Sequence, residues 1–319
     1  MPLTLEQYAE YLDTREDLPW PVAPDPEPIK AKPHLVRMSK IRVVLWNVYG
    51  TLVNILTGDV FFEHPKKFVM DKALDKTLQE FNMWGSMYRK PGQPSDYLGQ
   101  MYRKILEDRK LAPSPGEKYP EVLAEVIWEE LIKKLFQKEY TFDVSFFGSL
   151  NEYSQKVAYF FHASLQGTNC YPGAAEAMQH LKSANIRQGL LGNGQFFTRM
   201  QLQRGLNQQE ETVRLGAILS ESLCVLSHTI RGRKPSGNLF KHVLEILAED
   251  GIEAEQILHV GNSIDRDIIP ARKMGLRTAL IAQDKQTLEA TKEQLKDNAS
   301  RPDVLLTELR QIAQIISPE

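Results

Sequence analysis

The chain has 319 residues, with 39 Lys and Arg against 41 Asp and Glu and a net charge of −2. That balance offers no basic field for nucleic acid or an anionic membrane surface. Apolar residues at 42% and charged residues at 25% are ordinary for a globular protein, and no apolar run approaches the roughly 20 residues of a spanning helix.

The N-terminal stretch MPLTLEQYAEYLDTRED is acidic and amphipathic, which is not the pattern of a signal peptide. Thr4 to about Glu16 reads as a short helix, with Thr4 placed to cap it and Gln7 at the reciprocal capping position. Six prolines follow between Pro19 and Pro33, too dense for a helix or a central strand. That stretch reads either as an extended arm, anchored by Trp20 and Ile29, or as a disordered linker. Cys170 and Cys224 read as reduced thiols of a cytoplasmic protein rather than as a bridge.

Residues 41 to 46 open an α/β core. From about Lys66 to Gly167 the pattern is helix after helix. EVLAEVIWEELIKKLF carries Leu123, Ile127, Leu131 and Leu135 on one apolar stripe, and SFFGSLNEYSQKVAYFFHASL reads as a second long amphipathic stretch. GSMYRKPGQPSDYLGQ, rich in Gly and Pro, breaks the earlier helices. After Tyr171-Pro172-Gly173 strands and helices alternate. Strands are predicted at RQGLLG, LGAILS, QILHVGN and RTALIA, with a last strand and helix from Val304. Such alternation gives a doubly wound parallel sheet, with ligands at the carboxyl ends of its strands. The expected organisation is an N-terminal helix and arm over 1–40, a core of 41–60 and 168–319, and a helical block over 61–167.

Four polar loops follow predicted strands. They are NVYGTLV after the first strand, GNGQ at 192–195, RGRKPSG at 231–237 and GNSIDRD at 261–267. In this order, with a helical block inserted after the first, they resemble the haloacid dehalogenase-like hydrolase superfamily, whose commonest members are phosphatases. The resemblance covers about residues 41 to 319. It implies a Rossmann-type α/β core with an inserted all-helical cap. It further implies a nucleophilic aspartate where this chain has Asn47, and a second aspartate, the phosphatase acid–base, where it has Tyr49. The dehalogenase branch has tyrosine at that second position. A Ser or Thr that binds the phosphoryl or carboxylate oxygen is replaced by Gly192, whereas Asn193 and Lys234 match. The first acid of the fourth loop is Asn262, and the second, Asp267, is kept.

The chemistry of these replacements can be read without the family. A carboxylate attacks because its charge is localised; an amide is neutral and its nitrogen lone pair is delocalised. Magnesium prefers charged oxygen ligands, so amides at 47 and 262 argue against a tightly held ion, with Asn262 and Asp267 as the remaining candidate ligands. Equipment for holding an anion remains in Lys234, in the loop at Gly50 and Thr51, and in Gly192 and Asn193. His259, in a strand, reads as packing. The expectation is a catalytically impaired member of the superfamily that binds a phosphate- or carboxylate-bearing ligand. The alternatives are an active hydrolase using another acid such as Asp265, and an interaction protein, dimeric through its cap or arm, with a vestigial pocket.

Overall fold

The first core strand, β1 (Val43–Trp46), has all four side chains buried. A run so apolar on both faces belongs at the centre of a sheet covered on both sides. A computed structural model describes residues 1–86, 93–112 and 114–316, and divides them into two compact units.

One unit contains residues 23–60, 114–121 and 168 onward. After β1 come the short β2 (Val53–Asn54) and β3 (Asn169–Cys170), paired antiparallel. The strands β4 (Arg187–Gly192), β5 (Leu219–Leu226), β6 (Ile257–Gly261), β7 (Arg277–Ile281) and β8 (Val304–Leu306) complete a six-stranded sheet of order β5-β4-β1-β6-β7-β8. Every neighbouring pair is parallel. This is the expected doubly wound fold. The chain leaves β1 towards β4 and β5, then returns across it to β6, so the winding reverses beside β1, where such sheets form a crevice. Trp46 is wholly buried, and its indole N–H donates to Gln188 Oε1 at 3.1 Å, which keeps that donor paired inside the sheet.

The fifth strand was expected at LGAILS, but it begins at Leu219, and Leu215–Ala217 is a 3₁₀ turn. Apolar residues alone misplaced it. Glu221 and Ser222 are exposed within β5, which an edge strand tolerates because one side of its ladder faces solvent.

The other unit contains residues 1–22, 61–112 and 122–167, and is helical. Its helices are α1 (Leu5–Asp13), α2 (Lys67–Glu80), α3 (Pro94–Leu111), α4 (Ala124–Phe136), α5 (Val144–Phe147) and α6 (Leu150–Leu165). The Thr4–Gln7 capping box forms as expected. The long amphipathic stretch from Ser145 falls into two helices. Gly148 at φ 87 stops α5, and a Ser149–Glu152 capping box starts α6. Ile127, Leu131 and Leu135 of α4 are wholly buried, as the stripe required. Trp20 packs edge-on against Phe160, with ring centroids 5.3 Å apart. Residues 87–92 of the predicted break at GSMYRKPGQPSDYLGQ lie outside the described residues, and α3 already begins within that stretch at Pro94. No described helix is long and apolar enough to cross a membrane.

The arm and one piece of the helical block depart from the expected organisation. Residues 1–22 group with the helices and 23–40 with the sheet. Residues 114–121, expected inside the helical block, pack on the sheet unit beside the Lys234 loop. There the Glu121 N–H donates to Arg231 O at 3.1 Å and the Arg233 N–H to Tyr119 O at 2.8 Å.

Candidate functional site

All four polar loops lie at the carboxyl ends of the strands. Asn47 follows β1, Gly192 ends β4, Lys234 follows β5 after the short helix 227–230, and Asn262 follows β6. The structure joins them into one buried network. Lys234 donates to Asn47 Oδ1 at 2.9 Å, to Leu191 O at 3.3 Å and to Asp267 Oδ1. Asn47 Nδ2 donates to Tyr49 O and to Asn262 Oδ1, both at 2.9 Å. Asn262 Nδ2 donates to Thr287 O at 2.6 Å, and the Thr51 hydroxyl donates to Asn262 Oδ1 at 3.3 Å. Asp267 Oδ2 accepts the backbone N–H groups of Asn262 and Ser263 at 3.1 and 3.0 Å. Asn47, Asn193, Lys234, Asn262 and Asp267 are all buried.

Asn47 therefore does what a carboxylate cannot: one end of its amide accepts from the lysine while the other donates to two oxygens. An aspartate would leave Tyr49 O and Asn262 Oδ1 facing a negative charge. Two glycines make room for the network. A Cβ at Gly192 would lie 2.4 Å from Asn47 Oδ1, so the side chain at 47 occupies space that a serine or threonine at 192 would need. Gly50 has φ +77, and a Cβ there would lie 2.5 Å from Asn262 Nδ2.

Three expectations need correction. Lys234, expected to hold an anion, spends the three protons of its ammonium group on three oxygens of the chain. The Gly50 and Thr51 amides are spent inside their own turn, on Val53 O at 2.8 Å and Val48 O at 3.2 Å. Tyr49 turns its hydroxyl into the core, to Thr198 Oγ1 at 2.9 Å and Gln201 Oε1 at 2.5 Å. Burial pushes its pKa well up, only partly offset by Thr198, so it is a poor acid–base group. The acid suggested for an active hydrolase, Asp265, is exposed and accepts from Gln294 at 3.0 Å.

Free donors lie elsewhere on the same loops. Among the described residues, the N–H groups of Val48 and Tyr49 and the Nδ2 group of Asn193 have no acceptor; Asn193 spends only its oxygen, on the Lys234 N–H at 2.8 Å. Backbone amides carry no sequence signature beyond the glycine that shapes their turn, so residue types could not single them out. His259 was also missed. Its ring lies 3.3 Å from Asp267 Oδ1 and 3.1 Å from Leu45 O, bracing the carboxylate from behind. Burial pushes the Asp267 carboxyl up, but Lys234 and His259 outweigh it and hold it well below the usual carboxylate range.

The residues present do not fit a magnesium ion. Asp267 Oδ2 accepts two backbone N–H groups, Oδ1 accepts from Lys234 with the His259 ring 3.3 Å away, Asn262 Oδ1 is taken by two more donors, and no cluster of three His, Cys, Asp or Glu side chains that could hold a metal occurs among the described residues. Calorimetric titration with millimolar Mg²⁺ is expected to give no saturable heat. A stoichiometric isotherm would show that the network opens to accommodate the ion.

The family model for haloacid dehalogenase-like hydrolases matches residues 95–281, more than half of the chain. The chain belongs to that family. A curated relative, the glyceraldehyde 3-phosphate phosphatase of Methanocaldococcus jannaschii, is 27% identical over 115 residues. That alignment takes in 36% of this chain and 45% of the relative, so the chain spans less than half the length of this family member. Among solved family structures, the magnesium-bound hydrolase YfnB of Bacillus subtilis is 18% identical, covering 86% of this chain and 98% of its own, with a TM-score of 0.44. The L-2-haloacid dehalogenase of Xanthobacter autotrophicus with chloropropionic acid covalently bound is also 18% identical, covering 86% and 97%, with a TM-score of 0.44.

Proposed function

We propose that this chain is a non-hydrolytic member of the haloacid dehalogenase-like family that binds a small phosphate- or carboxylate-bearing ligand without a metal ion. The observation that carries the reading is the Asn47 amide, held by Lys234 at one end and by Tyr49 O and Asn262 at the other. With its nitrogen donating twice and its oxygen neutral, it has no localised charge with which to form an ester or acyl phosphate. The ligand side of the reading rests on the unspent donors of Val48, Tyr49 and Asn193. Backbone N–H groups at a turn hold oxyanions well. Amides at 47 and 262 also spare the ligand the repulsion of two carboxylates. The two free cysteines fit a reducing compartment such as the cytoplasm.

The test is thermal. A ligand that binds only the folded state raises the melting temperature with saturation. Millimolar phosphate is expected to stabilise the wild type, with chloride at equal ionic strength as control. Asn193→Asp keeps the acceptor for the Lys234 N–H but turns a donor into a charged acceptor, so its shift should fall to the chloride level. Equal phosphate shifts in the two proteins would rule the anion site out.

A further inference from the structure

Two guanidinium groups stand beside the site with one carboxylate of the chain between them. Arg233 precedes Lys234, and Arg266 precedes Asp267. Arg233 Nη2 and Arg266 Nη1 both donate to Asp59 Oδ2, at 2.6 and 3.1 Å. Asp59 follows the turn at Gly58, where φ is +71 and a Cβ would lie 3.3 Å from Asn262 Nδ2, so the turn packs directly on the site. Arg266 is anchored from its other side by Glu289, through Nε at 2.9 Å and Nη2 at 2.6 Å. Arg233 has no other side-chain acceptor among the described residues, and its Nε and Nη1 donors are unspent.

The geometry points to an anion clamp: Arg233 and Arg266 receive an acidic group of the ligand, a carboxylate or phosphate, where the Asp59 carboxylate now sits. The inference rests on the anion-binding reading of the Val48, Tyr49 and Asn193 donors and narrows its ligand to one carrying two acid groups, one for those donors and one for the arginines. Arginine presents a planar fork that matches carboxylate and phosphate oxygens, and an acid already occupies it. Asp59 is displaceable. Its side chain is 25% exposed and sits on a short turn, so it can leave for water rather than become a buried unpaired charge. Local charges also select an acid. Lys234, Arg233 and Arg266 are matched by Asp267, Asp59 and Glu289. A group that takes the place of Asp59 keeps the clamp balanced only if it is negative.

The probes are inorganic phosphate, phosphonoacetate and 3-phosphonopropionate; the last two join a phosphonate to a carboxylate through one and two carbons. Calorimetry on the wild type is expected to show one of the two-acid probes binding at least about tenfold tighter than phosphate, the size of a charge-assisted hydrogen-bonded contact. Arg233→Met should bring that ratio close to one, with Arg233→Gln as the substitute should the methionine variant melt early. Asp59→Asn, which removes the internal competitor, should tighten the two-acid probe several-fold. If phosphate binds but neither two-acid probe binds more tightly in the wild type or in Asp59→Asn, the clamp is overturned and the anion site stands. If neither phosphate nor the two-acid probes bind the wild type, the anion site falls and the clamp with it.

Discussion

Replacing both amides by carboxylates, Asn47→Asp with Asn262→Asp, is expected to give the site a magnesium-dependent hydrolytic activity. The wild type should hydrolyse an activated phosphomonoester no faster than a buffer control, because loss of the nucleophile in an enzyme costs on the order of 10⁴ to 10⁶ in turnover. The double variant should regain part of that, roughly 10² to 10³, with Gly192 still offering no hydroxyl and Tyr49 still turned to Thr198 and Gln201. The gain must depend on Mg²⁺. The side chains of Asn47 and Asn262 now meet at 2.9 Å, and two carboxylates at that separation do not both ionise unless a cation lies between them. Without magnesium the double variant is therefore expected to melt below the wild type, and millimolar Mg²⁺ should restore it while leaving the wild type unmoved. Equal rates above the buffer control in the two proteins would mean that the native chain hydrolyses by a route that does not use position 47, and equal rates at the control level would mean that the two carboxylates alone do not restore the chemistry.

The second large effect is on stability. Lys234 and Asp267 form a buried ion pair, their side chains 2% and 1% exposed. Removing one partner leaves the other charge buried and unpaired, which costs about 3 to 5 kcal/mol. For a protein of this size that is a fall of roughly 6 to 20 °C in melting temperature. Lys234→Met should show it. Lys234→Met with Asp267→Asn should recover much of the loss, since no lone charge remains. Lys67→Met is the control: its partner Asp71 pairs on the surface, where solvent and salt screen the contact. The pH dependence has a definite sign. The Asp267 carboxyl is depressed in the folded state, so its contribution is fully present above the ordinary carboxylate range and fades only as pH falls below about 4 towards the folded value. The deficit of Asp267→Asn should hold constant from pH 7 to about 5 and shrink in stronger acid. A Lys234→Met loss no larger than that of Lys67→Met would show that the network carries no stability of its own.

Much of the molecule was legible in the sequence because much of it is set by near neighbours along the chain. The Thr4–Gln7 cap, the apolar run at Val43–Trp46 and the stripe through Ile127, Leu131 and Leu135 all follow from spacing and backbone preference over a few residues. So does the placement of Asn47, Gly192, Lys234 and Asn262 just beyond strands, and with it the absence of a carboxylate at position 47. Where apolar content had to stand in for position in the sheet, the reading slipped: β5 starts late because an edge strand accepts Glu221 and Ser222.

The site's chemistry was decided elsewhere. Asn47 meets Lys234 across 187 residues of chain and Asn262 across 215, and only the strand order β5-β4-β1-β6 brings them together. Sequence named the side chains but not which atoms they would spend on one another. It could not tell that the lysine is saturated, that the Tyr49 hydroxyl faces the core, or that the amides left free are those of Val48 and Tyr49. Hydrogen-bond satisfaction in a buried cluster belongs to the whole set of donors and acceptors that the fold assembles.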